Sequence, residues 1–365
     1  MDVRHLRQLT DAVPVAMLVV DRRARVTAAN HAAHALFGPG LTDRPFVTVV
    51  RHPSVNHAID WVLDPDAEPA PDDDPDLPPP AHGILKLRAT LSAQGRDRAC
   101  VVTVGPVVID GTRGAAVSIE DSTGIEQAEQ MRRDFVANVS HELRTPLTAL
   151  MGFIETLRGP ARNDAAARDR FLDIMEREAG RMNRLVADLL SLSRVEGDER
   201  RRPAQKVDLS SLVRSVAATV APAARTAGVR FELDLPDEPV TVPGDADQIV
   251  QVFHNLIENA VKYGGSGGVV RLTLTHLDHE PVLRGPGWAV AVEDEGEGID
   301  PLHLPRLTER FYRVDTHRSR EKGGTGLGLA IVKHIINRHR GRLRIESEKG
   351  QGSRFTVILP EQQPR

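Results

Sequence analysis

Apolar residues recur through residues 123–157 with the spacing of a long amphipathic helix. They fall at positions 131, 135, 139, 143, 147, 150, 154 and 157, and Pro146 interrupts the segment. A Gly159-Pro160 stop follows, and a second helix has apolar residues at 171, 175, 182, 185, 189 and 192, with Glu178 in the same series. Steps of three and four place these side chains on one face of each helix. Two antiparallel helices with narrow apolar faces cannot close a core, so we expect a second copy to complete a four-helix bundle.

Shorter apolar runs before this hairpin predict a small sheet-and-helix module over residues 1–121. A helix is predicted at Asn30–Phe37, and residues 64–80 hold seven acidic residues and seven prolines in seventeen positions. That composition predicts a disordered loop inside the module. The predicted strands are Val15–Val20, Val26–Ala28, Gly83–Leu91, Arg98–Val104 and Ala115–Glu120.

Helices and strands alternate after residue 205, which predicts an α/β domain over residues 205–361. The hairpin between the two modules is assigned to residues 122–197. Predicted helices of the last domain are Asp208–Gly228, Asp245–Gly264 and Gly326–Arg340. Its predicted strands are Val229–Leu235, Val269–Leu277, Trp288–Asp294, Arg342–Ser347 and Arg354–Leu359.

Composition narrows the functional classes. The 365 residues suggest two or three domains, and a formal charge of -4 provides no general attraction for nucleic acid. A single cysteine excludes an internal disulfide framework and a thiolate zinc cluster, as in a reducing cytosol. No apolar run reaches the roughly 20 residues of a membrane helix, and no signal peptide is visible. We therefore expect a cytoplasmic protein without a transmembrane segment.

His141 lies about 200° round the first helix from the apolar face, so its imidazole is predicted to face solvent. Pro146 removes the helical partner of the Glu142 carbonyl and is expected to loosen the helix there, which makes room for a phosphate donor. Glu142 can accept a hydrogen bond from Nδ1–H of His141, leaving Nε2 nucleophilic. Thr145, one turn further, is suited to positioning a water molecule for hydrolysis of a phosphorylated imidazole.

Three segments of the last domain have the chemistry of a nucleotide site. Asn255 and Asn259 share one helix face, where amide oxygens can meet hydrated Mg²⁺ and phosphates. Asp294 ends a strand before Gly296 and Gly298, so its carboxylate can accept from an adenine amino group beside bare backbone. Residues 323–328 open a helix with glycines, whose N–H groups can bind a triphosphate.

Residues Phe135-Val136-Ala137-Asn138-Val139-Ser140-His141-Glu142-Leu143-Arg144-Thr145-Pro146-Leu147 closely resemble the phosphoacceptor box of bacterial two-component sensor histidine kinases. The resemblance implies a homodimeric, Mg-ATP-dependent kinase with His141 as phosphoacceptor and Glu142 as its base or orienter. The phosphoryl group would then pass to an aspartate in the receiver domain of a response regulator, and the regulator would also be dephosphorylated.

The nucleotide segments resemble the same family's boxes and imply an α/β-sandwich ATP-binding domain of the gyrase, Hsp90 and histidine kinase type. By this resemblance Asn259 ligates the metal, Lys262 and Tyr263 flank the nucleotide, and Asp294 reads adenine. Residues 310–315 resemble the phenylalanine box, and Arg313, Arg318, Arg320 and Lys322 would form a cationic lid. The ATP-contacting set is completed by Asn255, Gly296, Gly298, Phe311, Thr325, Gly326, Leu327 and Gly328.

The opening of the chain, with Val19-Val20-Asp21 and Ala29-Asn30-His31, resembles a PAS sensory domain. Residues 171–176 and 182–196 are similar to phosphate-regulon sensor kinases, which suggests phosphate-starvation signalling. Such kinases usually carry membrane helices before this point. The stimulus is therefore left open between a soluble cue and a membrane-bound partner.

Two alternatives compete with the kinase interpretation. Hydrolytic ATPases of the related fold carry a glutamate four residues before the metal-binding asparagine, but this chain has Asn255 there, and Glu258 lies about 100° away. A second alternative is a PAS-based ligand-binding sensor without kinase activity, in which His31 and His34 could ligate a metal. The phosphoacceptor and nucleotide boxes together favour the kinase.

Overall fold

The computed structural model describes residues 10–64, 83–109, 111–198, 201–264, 268–314 and 324–362. Almost all of the predicted disordered loop at 64–80 lies outside these residues, as do Arg318, Arg320 and Lys322 of the predicted lid. The chain divides into two compact units, Met1–Val136 and Ala137–Arg365. The three predicted domains, with boundaries near 121 and 205, stay a prediction.

The first unit is built on an antiparallel sheet with the strand order β2-β1-β5-β4-β3. Alternating burial along β3 places every second side chain in the core, which is the pattern of a sheet with one covered face. All five predicted strands are confirmed, with ends shifted by at most five residues. They are β1 (Ala16–Val20), β2 (Val26–Ala29), β3 (Leu85–Ala93), β4 (Arg96–Ile109) and β5 (Thr112–Asp121).

Asn30 joins the start of the first helix, α1 (His31–Phe37), to this sheet. Its Oδ1 accepts from the N–H groups of Ala33 and Met17, both at 2.9 Å. Its Nδ2 donates to the carbonyl of Val15 at 2.8 Å. The helix predicted at Asn30–Phe37 is therefore confirmed, with Asn30 as its N-cap.

Two helices between β2 and β3 were not predicted: α2 (Phe46–Val49) and α3 (Pro53–Leu63). Helix α3 begins with Pro53, which suits a first turn because proline lacks the N–H that would remain unpaired there. It buries Val55, Ala58, Ile59 and Val62 in the core of the sheet. A pattern of four apolar residues beside a proline-rich segment is too short to stand out by periodicity alone.

Two long helices, α4 (Thr123–Arg158) and α5 (Ala165–Asp198), confirm the predicted hairpin. Their ends near the turn pack through the rings of Phe153 and Phe171, with centroids 5.3 Å apart. Asp164 caps α5 by accepting from the N–H of Ala167 at 3.0 Å. Helix α4 continues through Pro146 as one uninterrupted helix.

Apolar side chains remain exposed along both helices of the hairpin. Leu147 is 50% exposed on α4 and Leu190 is 56% exposed on α5. Several of these positions belong to the predicted apolar series of α4, so that surface is only partly covered within one chain. Further members of the exposed set are Met131, Met151, Ile154, Leu172 and Val186.

The C-terminal lobe, residues 206–362, has a mixed sheet with the order β11-β12-β10-β9-β7. Only β7 and β9 run parallel, and the other neighbours are antiparallel. The predicted strands are confirmed as β7 (Arg230–Asp234), β9 (Val269–Glu280), β10 (Gly285–Asp294), β11 (Arg342–Glu348) and β12 (Gly352–Pro360). The predicted helices are α6 (Leu209–Thr226), α7 (Ala246–Gly264) and α8 (Gly328–Arg338).

A charged row crosses this sheet in register. Glu232, Arg271, Glu293, Arg354 and Glu346 occupy directly paired positions on β7, β9, β10, β12 and β11. Arg271 Nη2 lies 3.0 Å from Glu232 Oε2, and Arg354 Nε lies 2.7 Å from Glu293 Oε1. Helices α6, α7 and α8 contact the sheet, and this polar row belongs to a solvated face.

A second, two-stranded sheet pairs β6 (Lys206–Asp208) with β8 (Thr241–Pro243) and was not predicted. Strands of three residues carry too little alternation to be recognised in a sequence. Arg338, at the end of α8, contacts the end of α5 and the residues on either side of the two-stranded sheet. Its Nε donates to the carbonyls of Asp198 and Arg201, and its Nη1 lies 3.2 Å from Asp245 Oδ2.

The buried imidazole of His339 joins α8 to the start of α7. Nδ1 lies 2.8 Å from the Ile335 carbonyl, and Nε2 accepts from the N–H of Asp245 at 3.0 Å. Both contacts together require a neutral ring, and burial lowers the pKa of His339 below its usual value.

We expect His339 to make the C-terminal lobe sensitive to acid. In the unfolded chain the His339 imidazole binds a proton near pH 6.5, whereas in the folded chain it does so only at lower pH. The free energy of unfolding therefore falls as the pH drops below about 6.5. Urea unfolding at about pH 7.5 and about pH 5.5 should show a smaller acid loss in His339→Gln than in the wild type. The exposed His279→Gln serves as control and should behave as the wild type. Equal acid losses in all three proteins would refute the assignment.

Candidate functional site

The C-terminal end of α7 meets the end of β10 at Gly264 and Asp294. A methyl group on Gly264 would lie 2.7 Å from Asp294 Cγ, so a larger residue would force the two elements apart. Asp294 is only 8% exposed, and the N–H of Gly296 donates to its Oδ1 at 3.0 Å. Burial raises the pKa of Asp294, and backbone hydrogen bonds from Gly296 and Ser353 oppose that shift. Two of the predicted nucleotide segments thus lie side by side around a buried carboxylate.

The asparagine helix also contacts the start of α8. Asn255 Nδ2 donates to the carbonyl of Gly328 at 3.3 Å, and Gly328 is the first residue of α8. Asn259 lies one turn further along α7, on the same face as Asn255. Asn255 therefore lies at a helix N-terminus, where backbone N–H groups and the helix dipole favour anions.

The two segments that flank residues 315–323 are joined through their backbones. Phe311 N–H donates to the carbonyl of Gly326 at 2.8 Å, and both residues have positive φ angles, 64° and 74°. A methyl group on Gly326 would lie 2.9 Å from the Phe311 Cα atom. The predicted phenylalanine and second glycine boxes are therefore in direct contact, and glycine is required at position 326 by conformation and by space.

His141 is exposed on α4, as its helical position predicts. The hydroxyl of Thr145 donates to the backbone carbonyl of His141 at 3.1 Å. Beside it, Glu142 Oε2 lies 2.7 Å from Arg181 Nη2 on α5 and 3.4 Å from Arg313 Nη2. The side chain of Arg313 is only 6% exposed, and it also donates to the carbonyl of Gly324. A residue from the predicted nucleotide segments thus contacts the neighbour of His141 in the same chain.

Helix α5 makes further polar contacts with the C-terminal lobe that sequence analysis missed. Thr325 Oγ1 donates to Asp188 Oδ2 at 2.6 Å, and Arg310 Nη2 donates to Glu196 Oε1 at 2.6 Å. Ser191 Oγ donates to Gln251 Oε1 at 2.9 Å. These polar residues share a face of α5 with its buried apolar side chains. Polar residues on an otherwise apolar face were the one sequence feature that could have indicated these contacts. The buried apolar residues are Leu185, Leu192 and Val195.

The remaining predicted residues occupy the edges of this region. Lys262 Nζ lies 2.9 Å from Glu258 Oε1 on the preceding turn of α7, and Tyr263 is 41% exposed. Leu327 is fully buried as the N-cap of α8, and its N–H donates to Thr325 Oγ1 at 3.3 Å. Gly298 has a φ of 66° and packs on the backbone of Glu348, so it shapes the loop after Asp294 through backbone packing.

Three family models match successive parts of the chain. A "PAS domain" model matches residues 4–69, and a "His Kinase A (phospho-acceptor) domain" model matches residues 131–198. A model described as "Histidine kinase-, DNA gyrase B-, and HSP90-like ATPase" matches residues 244–363. The predicted fold class, with a PAS module, a helical phosphoacceptor region and an ATP-binding domain, is confirmed.

The chain is also similar to curated relatives and to a solved structure. The chain is 36% identical to the phosphate regulon sensor protein PhoR of Pseudomonas aeruginosa over 97% of its length and 74% of PhoR. It is 39% identical to the sensor-like histidine kinase SenX3 of Mycobacterium tuberculosis over 68% of its length and 58% of SenX3. The solved structure of the Acinetobacter baumannii histidine kinase AdeS aligns over 60% of the chain and 98% of AdeS, with 29% identity and a TM-score of 0.46.

The chain belongs to the two-component sensor histidine kinases of the phosphate-regulon type, with an N-terminal PAS domain. It is therefore a protein-histidine kinase that uses ATP, and the hydrolytic ATPase and non-catalytic sensor alternatives are not favoured. Within the residues that the structure describes, no helix combines the length and apolar character needed to cross a membrane.

We expect Gly264→Ala to destabilise the C-terminal lobe by about 1–3 kcal/mol, because the added methyl group overlaps the Asp294 side chain. Urea unfolding measures this loss. Gly285→Ala in β10 is the matched control, since a methyl group there meets nothing within 4 Å. A Gly264→Ala protein as stable as this control would show that the contact between α7 and β10 can relax without cost.

Proposed function

We propose that the protein transfers the γ-phosphoryl group of ATP to His141 and then to an aspartate in the receiver domain of a response regulator. The contact between Arg313 and Glu142 is the observation that carries this proposal. It links the glycine-rich side of the lobe to the residue beside the exposed imidazole. Acceptor and donor site then belong to one compact unit, which favours transfer over hydrolysis.

The C-terminal lobe offers matching groups for each part of ATP. Asp294 has a buried carboxylate that can accept from the adenine amino group, and Gly264 and Gly296 let the end of α7 and the loop after β10 pack closely against it. The N-terminus of α8, opened by residues 324–328, supplies N–H groups for the phosphates. Lys262 and Tyr263 flank this region at the end of α7. These assignments follow the family boxes residue by residue.

The residues of α7 also fit a magnesium ion. Asn255 and Asn259 present amide groups on one helix face beside the phosphate region, and Mg²⁺ prefers oxygen ligands together with water and phosphates. We assign Asn259 as the protein ligand. When bound, the ion would neutralise phosphate charge during transfer.

The reaction at His141 needs an unprotonated Nε2. Its lone pair forms a bond to the γ-phosphorus while the bond from that phosphorus to the bridging oxygen breaks, and ADP leaves with the electron pair. The Nδ1 proton stays on the ring during attack, and Glu142 is the neighbouring carboxylate that can orient it. Arg181 Nη2, on the same hairpin, lies 2.7 Å from Glu142 Oε2 and so helps to set the position of this carboxylate.

A homodimer is the expected assembly. Helices α4 and α5 expose apolar side chains that one chain does not cover, including Leu147 and Leu190. A second hairpin can bury these residues in a four-helix bundle, which removes apolar surface from water. The bundle would also stiffen the helix that carries His141.

We assign a second activity, dephosphorylation of the regulator, to the same helix. Thr145 lies one turn from His141, and its hydroxyl hydrogen-bonds to the His141 carbonyl in this structure. Rotation of that side chain would let it hold a water molecule near a phosphorylated partner. Phosphate starvation is the proposed physiological context, with the stimulus arriving through the PAS domain from a soluble ligand or a membrane-bound partner.

We expect His141→Gln to abolish labelling from γ-labelled ATP, because glutamine removes the acceptor nitrogen. ATP affinity measured by calorimetry should stay within about twofold, since His141 lies outside the nucleotide pocket. The exposed His279→Gln should label like the wild type. An acid-labile adduct that persists in His141→Gln would identify another acceptor and overturn the assignment.

We expect Asp294→Asn to separate binding from stability. ATP affinity should fall about ten- to a hundredfold, because a charged hydrogen-bond acceptor for adenine is lost. The raised pKa of Asp294 means that its ionised form costs folding free energy at neutral pH, so the neutral amide should leave the melting temperature of the nucleotide-free protein unchanged or higher. Retained ATP affinity would argue against the adenine-binding role, and a large loss of stability would argue against a desolvated carboxylate.

A further inference from the structure

Helix α5 places a carboxylate directly on the glycine-rich segment, residues 324–328. Asp188 Oδ2 accepts from Thr325 Oγ1 at 2.6 Å, while the same hydroxyl accepts from the N–H of Leu327 at 3.3 Å. Leu327 is the N-cap of α8, so the carboxylate is linked through one hydroxyl group to the anion-binding end of that helix. This is the region that the proposed function assigns to the phosphates of ATP.

We propose that Asp188 makes docking of the C-terminal lobe on α5 and binding of ATP oppose each other. The inference rests on the proposed function. In the docked arrangement the Thr325 hydroxyl donates its proton to the Asp188 carboxylate. That hydroxyl is then not available to donate to a phosphate. A bound triphosphate would bring further negative charge beside Asp188, and like charges in a partly desolvated site repel strongly. The lobe can therefore hold ATP or stay docked through Asp188, but each weakens the other.

The charges around Asp188 do not remove this repulsion. Burial is the main cause that raises the pKa of Asp188, and Glu258 on α7 acts in the same direction. Lys262 on α7, Arg184 on its own helix and the hydrogen bond from Thr325 act the other way, but the net shift remains upward. The surroundings of Asp188 therefore already disfavour its ionised form, even without the charge of a bound nucleotide.

Arg313 makes a similar contact with the hairpin. Its guanidinium contacts the carboxylate of Glu142 at 3.4 Å, although a cation at this place is also suited to a phosphate. Two side chains with phosphate-binding chemistry, Thr325 and Arg313, therefore each contact a hairpin carboxylate. Other docking contacts, such as those from Glu196 to Arg310 and from Ser191 to Gln251, involve residues outside the glycine-rich segment.

Thermodynamic linkage makes the effect reciprocal. If docking lowers the affinity for ATP by some factor, ATP lowers the stability of the docked state by the same factor. ATP would then weaken the contact of the lobe with α5 at Asp188. Weakening the docked state should raise ATP affinity even when the substitution lies outside the pocket.

The test measures binding of a non-hydrolysable ATP analogue with Mg²⁺ to the full chain by calorimetry. We expect Asp188→Asn to raise affinity on the order of three- to tenfold, since the amide keeps the shape of the side chain without its charge. Asp173→Asn is the matched control, an exposed carboxylate on the same helix, and should leave affinity unchanged. Unchanged or lower affinity in Asp188→Asn overturns the inference.

A second variant separates docking from simple charge repulsion. Glu196→Ala removes the contacts with Arg310 and His334 and leaves Asp188 in place, so it should also raise affinity for the analogue. A gain confined to Asp188→Asn would overturn the coupling, because repulsion alone would then explain it. Failure of the wild-type protein to bind the analogue would instead refute the proposed function. The two failures are therefore distinguishable.

Discussion

The buried carboxylate of Asp294 constrains the whole nucleotide side of the C-terminal lobe. A carboxylate removed from water needs hydrogen-bond donors. Here backbone N–H groups donate, and residues without bulky side chains let the backbone come close enough to the carboxylate. Gly296 supplies a donor, and Gly264 lets the end of α7 approach the carboxylate. The position of α7 then sets where Asn255 meets α8. A single desolvated group thus determines how the nucleotide segments converge.

Much of the fold could be predicted because its elements are long and periodic. Helices α4 and α5 repeat their apolar residues over many turns, and the strands of both sheets alternate or form short apolar runs. The short elements α2, β6 and β8 were missed because three or four residues carry almost no periodic signal. Helix α3 was missed beside a proline-rich segment, although Pro53 and the spacing of its buried residues were present in the sequence.

The candidate site was predictable where local chemistry is concentrated in motifs. His141, Asn259 and Asp294 each sit in a segment whose residue types suggest their chemistry. Contacts between distant segments were not accessible in this way, because the sequence does not say which face of α5 meets the C-terminal lobe. The hydrogen bond from Thr325 to Asp188 joins residues 137 positions apart. Only the three-dimensional arrangement gives that aspartate a role.

The charged row across the C-terminal sheet has a consequence for how separate molecules meet. It begins with Glu232 on the edge strand β7 and ends with Glu346 on the opposite edge strand β11. If the free edge of one sheet aligned in register with that of another molecule, glutamate would face glutamate. Like charges in directly opposed positions disfavour such pairing. The row therefore disfavours in-register pairing between two such edge strands.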